Sequence, residues 1–161
     1  MNRFLVAAFA LAASVAYAQV SSERSADYLS GAGMGYAKPA ELNHFPGPMH
    51  VLELADKLSL SEQQRAATKQ LMDGHKQHAR ALGAELVESE RALEGLFKKG
   101  LVDEATLARA VRETAALEGE YRLSHLETHR RMRSLLTEEQ IKRYDSLRGH
   151  SSSPPASQHR H

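Results

Sequence analysis

The chain has 161 residues, 42% of them hydrophobic and 25% charged, with 21 basic residues against 20 acidic ones and no cysteine. That length suits one domain and little more, and the balanced charge gives no reason to expect a nucleic-acid partner. Without cysteine there is no disulfide, no thiolate nucleophile and no thiolate metal ligand.

Met1 to Ala18 reads as an export signal. Arg3 gives a short positive start, residues 4–15 are an apolar run too short for a stable anchor, and Ala16-Tyr17-Ala18 offers small residues where a signal peptidase reads them. Cleavage is expected after Ala18, with a periplasmic product and no membrane insertion after processing. Residues 19–47 are rich in Ser, Gly and Pro and are expected to form a flexible leader. The Gly31, Gly33, Gly35 spacing follows no strand and opens no helix at once, so it is not a phosphate loop.

Pro48 opens a short helix with Val51, Leu52, Ala55 and Leu58 on one side. A first long helix is predicted from Ser61 to Lys98-Lys99, stopped by Gly100, and a second from the N-cap Asp103 to about Leu135. Neither contains proline. A helix on the order of 55 Å long needs a partner for its apolar stripe, and the nearest is the other helix, folded back across a short loop. The fold class expected is all-α, a long antiparallel helical hairpin flanked by two short helices over residues 48–148. Residues 149–161, with His150, His159 and His161, are expected to be a disordered tail.

Two of the helix starts carry one signature. Leu60-Ser61-Glu62-Gln63-Gln64 and Leu136-Thr137-Glu138-Glu139-Gln140 fit Leu-(Ser/Thr)-x-x-Gln, the pattern of a capping box. In the second, Leu136 and Ile141 add a hydrophobic staple; in the first that position is Arg65. An exported chain with a helical hairpin and two such boxes resembles the Spy/CpxP family, which includes related periplasmic heavy-metal-resistance and sensor proteins (ZraP- and CnrX-like). The resemblance implies a cradle-like, dimeric helical protein working without ATP. It also implies one of two activities, holding unfolded clients or binding zinc, nickel, cobalt or copper. A regulatory partnership with the periplasmic domain of a membrane sensor is a third expectation.

At about 100° per residue, Leu71, His75, His78, Leu82, Glu85, Leu86, Ser89, Leu93 and Leu96 share one face of the first long helix. Leu107, Val111, Thr114, Glu118, Tyr121, His125, His129, Met132 and Leu136 share one face of the second. Folding the hairpin about residue 101 sets Ser89 against Thr114 and Glu85 against Glu118, and brings His125 and His129 to the level of His75 and His78. Imidazoles spaced i,i+3 and i,i+4 on facing helices could share one divalent transition metal, Zn, Ni, Co or Cu. The leading expectation is a periplasmic stress or heavy-metal-resistance protein that binds such a metal through these histidines, with client holding and the sensor partnership as alternatives. The competing reading is four packed histidines, each with an ordinary hydrogen bond. Met132 could add a soft ligand or simply pack. Glu85 and Glu118 could supply carboxylates, or snorkel apart into solvent. His44 and His50 are further candidates only through the metal-sensor branch of the resemblance.

Arg130, Arg131 and Arg133 form a basic run that could border a surface for acidic, partly unfolded clients, although such runs usually form a solvated face. No nucleophile elbow, phosphate loop or base–orienter pair is present, so neither enzyme activity nor an organic cofactor is expected.

Overall fold

The computed structural model describes residues 23–149, and among these every regular element is a helix. In chain order they are α1 (23–30), α2 (Lys38–Glu41), α3 (Pro48–Glu53), α4 (Glu62–Lys98), α5 (Glu104–Ser134) and α6 (Glu138–Arg148). The fold is all-α, with the two long helices packing together. The expected export signal at 1–18 and residues 150–161 of the expected tail lie outside the described residues.

Local chemistry accounts for the boundaries. Pro48 sits in the first turn of α3, where its missing N–H costs no helical hydrogen bond. The C-terminal end of α4 is fixed at Gly100, whose φ of +65° glycine adopts without penalty. Its N–H donates to the Phe97 carbonyl at 3.1 Å, and that of Leu101 reaches back to Leu96 at 3.0 Å, together closing a Schellman motif. Asp103 then caps α5, accepting from the Thr106 amide at 2.8 Å and the Thr106 hydroxyl at 3.0 Å. The Thr106 amide is the main reason its carboxyl lies below the ordinary aspartate range. Gly149, at φ +72°, ends α6.

The described residues form two compact units, 23–34 with 76–122, and 35–75 with 123–149. In the second, Val51, Ala55, Leu58, Leu60, Leu71, Met132 and Tyr144 form one buried cluster. It draws on α3, the turn after it, and the parts of α4, α5 and α6 in that unit. Leu54, Leu135 and Leu136 pack around it.

In the first unit, Ala79, Leu86 and Val87 of α4 are buried, as are Tyr121 of α5 and Tyr28 of α1. The Ser89 and Thr114 hydroxyls meet at 2.6 Å, the pairing expected for a fold about residue 101.

Two expectations need correcting. Over its described part the 19–47 segment is not a structureless leader. It contains α1 and α2, and Tyr28 and Ala37 are buried. The sequence hid this because α1 buries one aromatic ring against the hairpin and so has no apolar stripe of its own. The buried face of α4 also runs through Thr68, Leu71, Ala79, Leu86 and Val87. The step beyond His75 is therefore i+4 to Ala79 and not i+3 to His78. His78 and Glu85 are exposed on α4, as is Val111 on α5.

Candidate functional site

Of the four hairpin histidines, the structure brings two rings together. His75 and His125, both in the second unit, lie edge to face with ring centres 4.5 Å apart. His125 is buried and its Nδ1 lies 3.4 Å from the Ser124 hydroxyl. His129, one turn on, is also buried but is otherwise engaged. Its Nδ1–H donates to the Phe45 carbonyl at 2.9 Å, with Nε2 on the other side of the ring. That nitrogen lies over Gly47, where an added Cβ would be only 3.2 Å away. His78 is exposed and belongs to the first unit.

A closed zinc site takes four donors. Among the described residues no group of three His, Asp, Glu or Cys side chains is arranged to hold a metal ion. The expected four-histidine layer is therefore reduced to a two-imidazole pair, half of a tetrahedral donor set.

The supplementary candidates divide further. Met132 is fully buried in the apolar cluster beside Leu71 and Tyr144, a packing residue. Glu118 receives a hydrogen bond from Arg24 at 3.2 Å, whereas Glu85 is exposed, so the two do not form a desolvated carboxylate pair. His50 pairs with Glu53 of its own helix at 3.0 Å. His44 adopts φ +68°, and its Nδ1 lies 2.6 Å from the Oδ2 of Asp145, a buried carboxylate on α6. The sequence offered no sign of this His–Asp pair, since 101 residues separate its members.

The basic run divides similarly. Arg130 forks onto Glu127 at 2.7 and 2.6 Å, which holds the Glu127 carboxyl below its ordinary range and raises the Arg130 guanidinium. Arg133 is structural: it donates to the His44 carbonyl at 2.8 Å and to Glu138 at 3.0 Å, and lies 5.2 Å from the Phe45 ring centre. Arg131 is exposed.

The two Leu-(Ser/Thr)-x-x-Gln stretches are capping boxes in the structure. Gln64 N–H donates to the Ser61 hydroxyl at 3.1 Å while Ser61 N–H donates to Gln64 Oε1 at 3.0 Å. Gln140 and Thr137 repeat this at 3.2 and 2.9 Å. The boxes also bind each other: Gln64 Nε2 donates to Gln140 Oε1 at 2.8 Å, and Gln140 Nε2 to Gln64 Oε1 at 3.0 Å. Residues 48–148 match the family described as LTXXQ motif family protein, over more than half of the chain. The chain belongs to the LTXXQ motif family.

This is the family of Spy/CpxP-like proteins, and the interlocked boxes of this LTXXQ protein are built from its motif residues. The family is typically periplasmic, and among the described residues no helix is long and apolar enough to cross a membrane. No curated protein and no solved structure matches the chain.

Proposed function

We propose that this LTXXQ protein is a periplasmic stress protein that holds unfolded proteins without ATP, acting by binding and not by catalysis. The observation that carries this reading is exposed apolar surface on the first unit. Phe97, Leu101 and Val111 are 59%, 60% and 47% exposed. Three large apolar side chains left this accessible are available to bind apolar client segments. Ion pairs such as Arg91–Glu88 and Lys98–Glu94 on α4 keep the surrounding surface soluble.

The test is anisotropy of fluorescently labelled αS1-casein, an unfolded protein without cysteine, titrated with the processed chain. Saturable binding is expected. Phe97→Ser with Leu101→Ser should weaken it while leaving the melting temperature nearly unchanged, because both side chains are exposed. Unaltered affinity in that variant would contradict the reading.

A second reading has its own observation, the His75–His125 ring contact. The pair would contribute two imidazole donors to Zn, Ni, Co or Cu, with water completing the coordination. Zn²⁺ should then raise the melting temperature by mass action, and the rise should fade at acid pH, where imidazoles protonate. Loss of that rise in His75→Ala with His125→Ala supports the reading, and its persistence in that variant contradicts it.

A further inference from the structure

The N-terminal segment of the first unit lies on the hairpin in a way its sequence did not announce. Tyr28 of α1 stands edge-on to Tyr121 of α5, ring centres 5.1 Å apart, and both rings are buried. The Tyr121 hydroxyl donates to the Ala32 carbonyl at 2.8 Å. On the α4 side the seat is made of small residues. A Cβ built on Gly83 would overlap the Tyr28 carbonyl, and one built on Gly31 would lie 3.4 Å from the Cβ of Ala79. Arg80 reaches the Ser30 carbonyl at 3.3 Å, and Arg24 reaches Glu118. The segment therefore occupies a made-to-measure seat of Ala79, Gly83 and Tyr121.

Three observations mark that occupant as separable. Between residues 23 and 36 only Tyr28 is buried, so a single side chain supplies most of the apolar anchoring. Left-handed backbone recurs where the segment ends, Gly31, Met34 and Gly35 having φ of +76°, +46° and +80°. The family match begins only at residue 48, so the hairpin is defined without this segment.

We infer that residues 23–34 are a displaceable cover that competes with unfolded clients for the α4–α5 face at Ala79, Gly83 and Tyr121. The inference rests on the client-holding reading. The partner this face fits is an apolar, aromatic-bearing segment of an unfolded chain, because Tyr28 already demonstrates the ring that packs on Tyr121. A cover of this kind lowers apparent client affinity by the fraction of molecules in which it is seated.

The test locks and evicts the cover. In Gly31→Cys with Ala79→Cys the Cβ separation is close to that of a disulfide, and the natural chain has no cysteine to interfere. Labelled αS1-casein should bind the oxidised form more weakly than the same protein after reduction. The pair shares any strain from cysteine at position 31, so the comparison does not depend on that strain. Gly83→Ala, which adds only a methyl and favours the helix, should bind casein more tightly than the natural chain. It should also speed hydrogen exchange at the Gly31 and Ala32 amides, which donate to the Tyr28 and Asp27 carbonyls, while amides within α4 and α5 stay protected. Equal casein affinity in the oxidised and reduced forms would overturn the cover and leave the client-holding reading standing. Absence of casein binding in every form would instead remove the client-holding reading, and the inference with it.

Discussion

Gln64 and Gln140 use all of their side-chain hydrogen-bonding capacity on one another, on the helix starts they cap and on two turn carbonyls. Each Oε1 accepts from the backbone N–H of its own cap residue and from the opposite Nε2. Each Nε2 gives its second hydrogen to a carbonyl of the other strand of the chain, Gln64 to Leu135 at 2.9 Å and Gln140 to Leu58 at 3.3 Å. A primary amide has two donors and two acceptor lone pairs, so no other side chain of that length could replace either glutamine. Glutamate lacks the donors and lysine lacks the acceptors.

Breaking one half of this clasp strands the other. Gln64→Leu and Gln140→Leu should each lower stability by about 1–3 kcal/mol, since the surviving amide and a backbone carbonyl lose partners. The double variant should cost less than the sum, with a coupling of about 0.5–3 kcal/mol in a urea-denaturation cycle. Strict additivity would contradict the reciprocal bonding.

Met132 separates packing from ligation. It is fully buried against Leu71 and Tyr144, so Met132→Ala should destabilise by about 2–5 kcal/mol and Met132→Leu by less than about 1.5 kcal/mol. Calorimetric melts of the two variants check this. A leucine variant as damaged as the alanine one would point to a role for the sulfur.

Alkaline pH tests the seat of α1. Burial, with smaller contributions from Tyr28 and Asp27, pushes the Tyr121 phenol up to about 12 from an ordinary 10. The folded state thus keeps a proton that the unfolded chain releases. The associated stability is fully present below pH 10 and is lost as pH rises through about 12, on the order of 3 kcal/mol. Burial raises Tyr144 as well, so Tyr121→Phe should shallow the alkaline fall in stability without abolishing it. An unchanged slope would contradict the burial of the Tyr121 hydroxyl.

The hairpin was legible because helix periodicity, Gly100 and Asp103 are local signals. The expected and observed boundaries of the long helices agree to within a residue or two, and the register that set Ser89 against Thr114 followed from the loop alone. The site was less legible. A face drawn at a constant 100° included His78 and excluded Ala79, because packing against α1 selects the i+4 step that puts Ala79 and Gly83 on the seat. The tautomer and contacts of His129 depend on Phe45 and Gly47, which lie more than eighty residues earlier. The His44–Asp145 pair likewise joins residues with no sequence relationship. The Leu-(Ser/Thr)-x-x-Gln boxes were readable as caps from spacing, but their mutual clasp exists only once both helix starts meet.

The hairpin is proposed to hold unfolded chains through apolar surface, without a metal. The most direct measurement is αS1-casein binding by the processed protein in the presence of a strong chelator, repeated with His75→Ala and His125→Ala combined. Affinity should survive both treatments. Loss of casein binding on chelation, or in the double-histidine variant while its melting temperature holds, would contradict it and make the two-imidazole pair the functional centre.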